Sequence, residues 1–157
     1  MNGGDCGACQ DSQWVRSAND YVEVNRGNPG DAPRVAALEF LLARGHCGIQ
    51  NRTMIADVQE HLAQNGHRIT REQFQHQVLT VLKREGALAT LVHPGPQGGL
   101  FIPCNEGEMR QVASQVVQRV ARELHNLEAA CRNTAFHEPI VELEQLAGTL
   151  CRQIGGV

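Results

Sequence analysis

The six residues Pro94-Gly95-Pro96-Gln97-Gly98-Gly99 constrain this chain more than any other feature. They exclude a helix. Proline lacks the amide that helical bonding uses, and glycine loses more backbone entropy than any other residue when it is fixed. Apolar runs at residues 87–92 and 100–102 flank the cluster, and each suits a strand. Two such runs around a Gly/Pro turn predict an antiparallel hairpin. Elsewhere apolar residues recur three and four apart, which is the period of a helix.

Before the hairpin three helix-turn units can be read. Ahead of them, Trp14, Ala18, Tyr21 and Val22 suit a short amphipathic helix behind a cap at Asp11 or Ser12, although the alternation around residues 21–24 also suits a strand. Asn25-Arg26-Gly27-Asn28-Pro29-Gly30 breaks it. Asp31 is expected to cap the first helix of the core, with Pro33 in its first turn and Val35, Leu38, Leu41 and Leu42 as its buried stripe. Gly45 is expected to end it, and residues 46–49 to form a short connecting strand. Ile55, Val58 and Leu62 mark the second helix, starting near Asn51 or Thr53 and stopping at Asn65-Gly66. Thr70-Arg71-Glu72-Gln73 is a capping box for the third, whose stripe is Phe74, Val78, Val81 and Leu82 and whose stop is Gly86.

After the hairpin Asn105 caps a long helix reaching about Arg132, with Glu106 and Glu108 in its first turn, where the helix dipole favours them. Ala113, Val117, Val120, Leu124, Leu127 and Cys131 are spaced 4, 3, 4, 3 and 4, an a/d seam. Such a helix is about 40 Å long, longer than the hairpin domain is wide. A second copy of the chain meeting it through Val117, Val120, Leu124 and Leu127 is the expectation. The alternative cover is the hairpin domain or the last helix of the same chain, whose face is read as Ile140, Leu143, Leu146 or Ala147, Leu150 and Ile154.

Composition excludes several function classes. Apolar residues make up 41% of the chain and charged residues 20%, with a mean hydropathy of -0.32, as in a globular soluble protein. No apolar run approaches the roughly 18 residues of a membrane span. The start lacks a basic and an apolar signal region, so a cytoplasmic protein with reduced thiols is expected. Cys6-Gly7-Ala8-Cys9 has zinc-ligand spacing, but a second pair is missing and His46-Cys47 is poorly spaced. No metal and no cofactor are therefore expected. The seven histidines are scattered, and no nucleophile elbow, phosphate loop or metalloprotease helix accompanies them. Glu142 and Glu144 point about 200° apart on a helix and cannot serve one catalytic site. No catalytic residue is assigned, and the chain reads as a non-enzyme.

The order of helices, the Asn65-Gly66 stop, the Thr70-Arg71-Glu72-Gln73 start, the Lys83-Arg84-Glu85-Gly86 close and Gly98-Gly99-Leu100-Phe101-Ile102 after the loop resemble a winged helix-turn-helix domain over about residues 33–103. The expected fold class is mainly α with a small β-hairpin (α+β), a winged helix-turn-helix core plus long C-terminal helices. Three parts follow: a tail and short helical arm at 1–30, the winged domain at 31–104, and a C-terminal dimerisation or docking element at 105–157. The resemblance implies that the third helix enters the major groove of double-stranded DNA. Arg71, Gln73, His76 and Thr80 on its exposed face would then meet the bases, Lys83 and Arg84 would position the backbone, and Arg68 could hold a phosphate. Arg52 is a further candidate phosphate contact.

Charge is divided on this. The whole chain has 14 basic and 17 acidic residues, whereas residues 33–104 carry seven basic against five acidic groups. Of the 14 basic residues 13 are Arg, which offers a bidentate fork to guanine or phosphate. The loop of residues 93–99 has neither Arg nor Lys. A small DNA-binding regulator acting as a homodimer is the first reading. A winged-helix protein-interaction module, such as an inhibitor or accessory subunit of a larger complex, is the alternative.

Overall fold

The computed structural model describes residues 12–43, 48–91 and 99–155. The expected tail at 1–11, the Gly45 stop and most of the hairpin loop lie outside these residues. The chain divides into two units, residues 1–108 and 109–157. Among the described residues no helix is long and apolar enough to cross a membrane.

In the first unit, α1 (Gln13–Asn25) settles as a helix, not a strand. Ser12 is its cap: the hydroxyl accepts from the Val15 amide at 3.4 Å and donates to the Pro103 carbonyl at 2.6 Å. That second bond ties the start of α1 to the chain just after the hairpin. Val15, Ala18 and Val22 are buried in the same core as the helices that follow.

A 3-10 turn (Pro29–Asp31), capped by Asn28, precedes α2 (Ala32–Ala43). Asp31 does not cap α2, because its carboxylate is engaged by Arg34, Tyr21 and Asn28. Val35, Ala37, Leu38 and Leu41 are buried. The expected strand at 46–49 is not found in its described part, since Gly48–Asn51 forms a 3-10 turn. The strand-like pairing falls further on: Thr53 and Leu100 exchange both backbone hydrogen bonds at 2.8 Å.

Helix α3 (Ile55–Gln64) buries Val58 and Leu62. It ends with Gly66 in the left-handed region at φ 86°. The His67 amide returns to the Leu62 carbonyl at 2.8 Å and Gly66 to Ala63 at 3.2 Å, a Schellman closure. The third core helix, α4 (residues 71–84), is helical throughout but changes pitch. Arg71–Gln73 and Thr80–Arg84 are α-helical, and Phe74–Leu79 is a π turn. The wider turn shifts the inward stripe. Phe74, Val78, Leu79 and Leu82 are buried, while Val81, read as inward from a regular helical wheel, is only half-buried. Gly86 closes α4 as Gly66 closes α3, with the Ala87 amide on the Leu82 carbonyl at 2.9 Å.

Strands β1 (Ala89–Leu91) and β2 (Gly99–Phe101) pair antiparallel, with Ala89 opposite Phe101, Thr90 opposite Leu100 and Leu91 opposite Gly99. Leu100, Phe101 and Ile102 are buried. Cys104 is disulfide-bonded, whereas Cys131 and Cys151 are free thiols. This departs from the expectation of six reduced thiols. Spacing along a chain cannot reveal which cysteines folding brings together.

Helix α5 (Glu106–Cys131) leads into the second unit. The Asn105 side chain accepts from the Glu108 amide at 2.9 Å, and the Glu108 carboxylate accepts from the Cys104 amide at 2.7 Å. A turn with Asn133 at φ 67° separates α5 from α6 (His137–Gly155). On α6 Ile140 and Ala147 are buried. Of the alternatives Leu146 and Ala147 it is Ala147 that lies on the buried face, while Leu143 and Leu150, expected on that face, are 50% and 39% exposed.

Candidate nucleic-acid interface

Helix α4 is fixed at its start by its capping box. The Thr70 hydroxyl accepts from the Gln73 amide at 3.1 Å, and the Gln73 side chain accepts from the Thr70 amide at 2.9 Å. Its middle is held from α2. The Arg34 guanidinium donates to the Gln77 carbonyl at 2.7 Å, to the Gly30 carbonyl at 2.9 Å and to the Tyr21 hydroxyl at 3.1 Å, and it pairs with Asp31. One cation thus ties α1, α2 and α4 together. The Arg34 hydrogen bond holds the Asp31 carboxyl below its usual range, against the upward push of burial. Burial raises the Tyr21 hydroxyl despite the Arg34 contact.

With its apolar stripe turned inward, α4 presents Arg71, Gln73, His76, Thr80, Lys83 and Arg84 to solvent, and Arg68 is exposed on the segment just before it. Two of these differ from simple wheel positions. The Thr80 hydroxyl donates to the Gln75 carbonyl at 2.8 Å, so its proton is used within the π turn. Arg84 lies 3.7 Å from Glu85. Gln75 and Gln77 are also exposed on this helix and were missed. A wheel of constant pitch sets them at the margin of the polar face, and only the π turn widens that face. Arg52 is exposed at the edge of β2, where its side chain borders Gly99.

The expected dimer residues lie on α5. Val120 and Leu127 are 46% and 47% exposed, and Val117 and Leu124 are half-buried. Arg119, Val120, Glu123, Leu124 and Leu127 line a shallow, mostly apolar groove.

One cluster in the second unit escaped the sequence. His125, Glu128 and Glu144 place their ligand atoms within 4.8 Å of one another. His125 Nδ1 is 2.8 Å from Glu144 Oε1, and His137 Nε2 is 2.8 Å from Glu128 Oε1. The hydrogen bond to His137 holds the Glu128 carboxyl below its usual range, helped by Arg132. The four residues belong to two helices, so no single short spacing announces them.

Neither a protein-family model nor a solved structure matches this chain. The chain is similar to a protein of the archaeon Methanocaldococcus jannaschii described as "Putative control protein C.MjaVP". The two are 41% identical over 128 residues, which span 80% of this chain and 78% of the relative.

Proposed function

The chain belongs to the control-protein family of that archaeal relative, and on that premise we propose that it is a DNA-binding transcription regulator, a winged helix-turn-helix protein acting as a homodimer. The observation that carries the reading is α4: a helix capped at its start, braced by Arg34 and turning Arg, Gln, His and Lys side chains outward. Arg pairs bidentately with guanine and Gln with adenine in the major groove. A recognition helix must hold such groups in a fixed orientation, and the brace supplies it.

In this reading residues 31–104 form the DNA-reading domain, with β1 and β2 as the base of the wing, and residues 105–157 carry the dimer contact. Residues 1–30 add α1 as an arm. Arg71 and Gln73 read bases, His76 and Thr80 extend the contact, and Arg68, Lys83 and Arg84 position the backbone. The role is regulatory and not catalytic, which agrees with a relative described as a control protein.

Selection of binding sites from random duplexes, followed by titration at several salt concentrations, tests this. Arg71→Ala should cost about 1–3 kcal/mol at the selected site and relax one base position, and Lys83→Ala should weaken all sequences alike and reduce the salt slope by about one. If selection enriches no sequence, the DNA reading fails. The wing without Arg or Lys then favours a protein-binding module.

A further inference from the structure

We infer that the second unit carries a binding site for a divalent transition-metal ion of the zinc class, made by His125, Glu128 and Glu144, with His137 as a positioning residue for Glu128. The inference does not rest on the DNA-binding reading. His125 and Glu128 stand three residues apart on α5 and so share one face a turn apart. Glu144 stands on α6 and meets them from the opposite helix. One imidazole nitrogen and two carboxylate oxygens within 4.8 Å of one another form a mixed nitrogen and oxygen donor set.

Zinc bound at the usual 2.0–2.2 Å would set its ligand atoms roughly 3.3 Å apart in a tetrahedron. The present spacing brackets that value, since His125 and Glu144 are already 2.8 Å apart and the set closes within 4.8 Å. Small rotations of exposed or half-buried side chains suffice. Three protein ligands leave a fourth position for water, and imidazole with carboxylates suits zinc, cobalt or nickel better than a hard cation such as calcium.

His137 adds the outer contact that ligating carboxylates commonly have. It reaches Glu128 Oε1 from the start of α6 at 2.8 Å and so restrains the carboxylate. Two ordinary His–Glu ion pairs across the helices would account for the pairwise distances. They do not require His125, Glu128 and Glu144 to converge on one point.

The test uses the full chain, stripped with chelator and titrated with Co2+ and then Zn2+. One ion per chain should bind, with visible absorption typical of nitrogen and oxygen ligation and no intense sulfur-to-cobalt band. His125→Ala should weaken binding at least tenfold. Glu144→Gln, which keeps a hydrogen-bonding partner for His125 but removes the ligand charge, should do the same with helical content unchanged. His137→Ala should weaken binding about 10–100-fold, and His137→Gln should restore part of it. Absence of saturable one-to-one binding overturns the site. So does binding that survives Glu144→Gln, or a sulfur-to-cobalt band that disappears in Cys6→Ser/Cys9→Ser.

Discussion

Arg34 shows how one side chain can organise a surface it does not belong to. Its guanidinium is largely buried, with 18% of the side chain exposed, and its contacts are two backbone carbonyls, the Asp31 carboxylate and the Tyr21 hydroxyl. Asp31 is its counter-ion and titrates below the usual carboxylate range in the folded state. The stability it adds is therefore present above the unfolded value, near 3.9, and is lost as pH falls through the lower folded value. Asp31→Asn should lower the melting temperature at pH 7, and the gap from wild type should close as pH falls below about 4. Thermal melts from pH 7 to pH 3 check this, and a gap constant across the series would show that Asp31 acts only by shape. Gly99 is a second residue-scale case. Its φ of 152° disfavours a side chain, and a Cβ there would lie 3.1 Å from the Thr53 carbonyl oxygen and 3.3 Å from Arg52. Gly99→Ala should destabilise the first unit by about 1–3 kcal/mol, measured by urea unfolding.

At the scale of elements, α4 is governed by its ends. Thr70→Ala removes the acceptor for the Gln73 amide and should cost about 1 kcal/mol. Amide exchange should show faster opening at Gln73 and little change in α3, and protection unchanged at Gln73 would mean that packing of Phe74 alone fixes the helix start. The capped start of α4 and the glycine stops are also where the sequence was most legible, whereas Asp31 does not cap α2 and α3 begins at Ile55, not near Asn51 or Thr53. Thr70-Arg71-Glu72-Gln73, Asn65-Gly66 and Gly86 are local chemistry, and each acts as its residues imply. The apolar period found most of the stripes of α2 and α3 for the same reason, although Leu42 and Ile55 are only half-buried and the buried Ala37 was not read. It failed within α4, because a π turn inserts a residue that a constant pitch cannot represent, so Leu79 replaces Val81 in the core. It also failed in part on α6, where Ile140 and Ala147 are buried but Leu143 and Leu150 keep the helical period and are exposed. Long-range pairings were invisible for another reason. The Ser12–Pro103 bond, the Thr53–Leu100 bridge and the His125–Glu144 contact join residues that no local pattern connects. The polar face of α4 was legible because it is the complement of a stripe, whereas the His/Glu cluster needed both helices in place.

At the scale of the whole molecule, the exposed apolar side chains motivate the proposed dimer. Val116, Val120 and Leu127 on α5 are 39–47% exposed. They recur at intervals of four and seven, so they form a line along the helix and not a scatter. Fully burying an aliphatic side chain of this kind is worth about 1.5–3 kcal/mol, which gives a line of them a strong drive to meet another apolar surface. A second copy is the partner that is always present at equal concentration, and a two-fold axis lets the same line face itself. On the proposed DNA reading, two α4 helices related by such an axis would meet half-sites about one helical turn, or a multiple of it, apart. Wild-type protein should sediment as a dimer, and Val120→Glu/Leu127→Glu, which puts two charges in the groove, should sediment as a monomer that circular dichroism shows to be folded. On a selected palindromic duplex the monomer should retain contact with one half-site and lose the gain from joining two, so its affinity should match that of wild type for a single half-site. A wild type that stays monomeric at high concentration refutes the dimer. A charged variant that dimerises as well as wild type places the contact elsewhere, and full-affinity binding by a true monomer would separate DNA reading from α5 altogether.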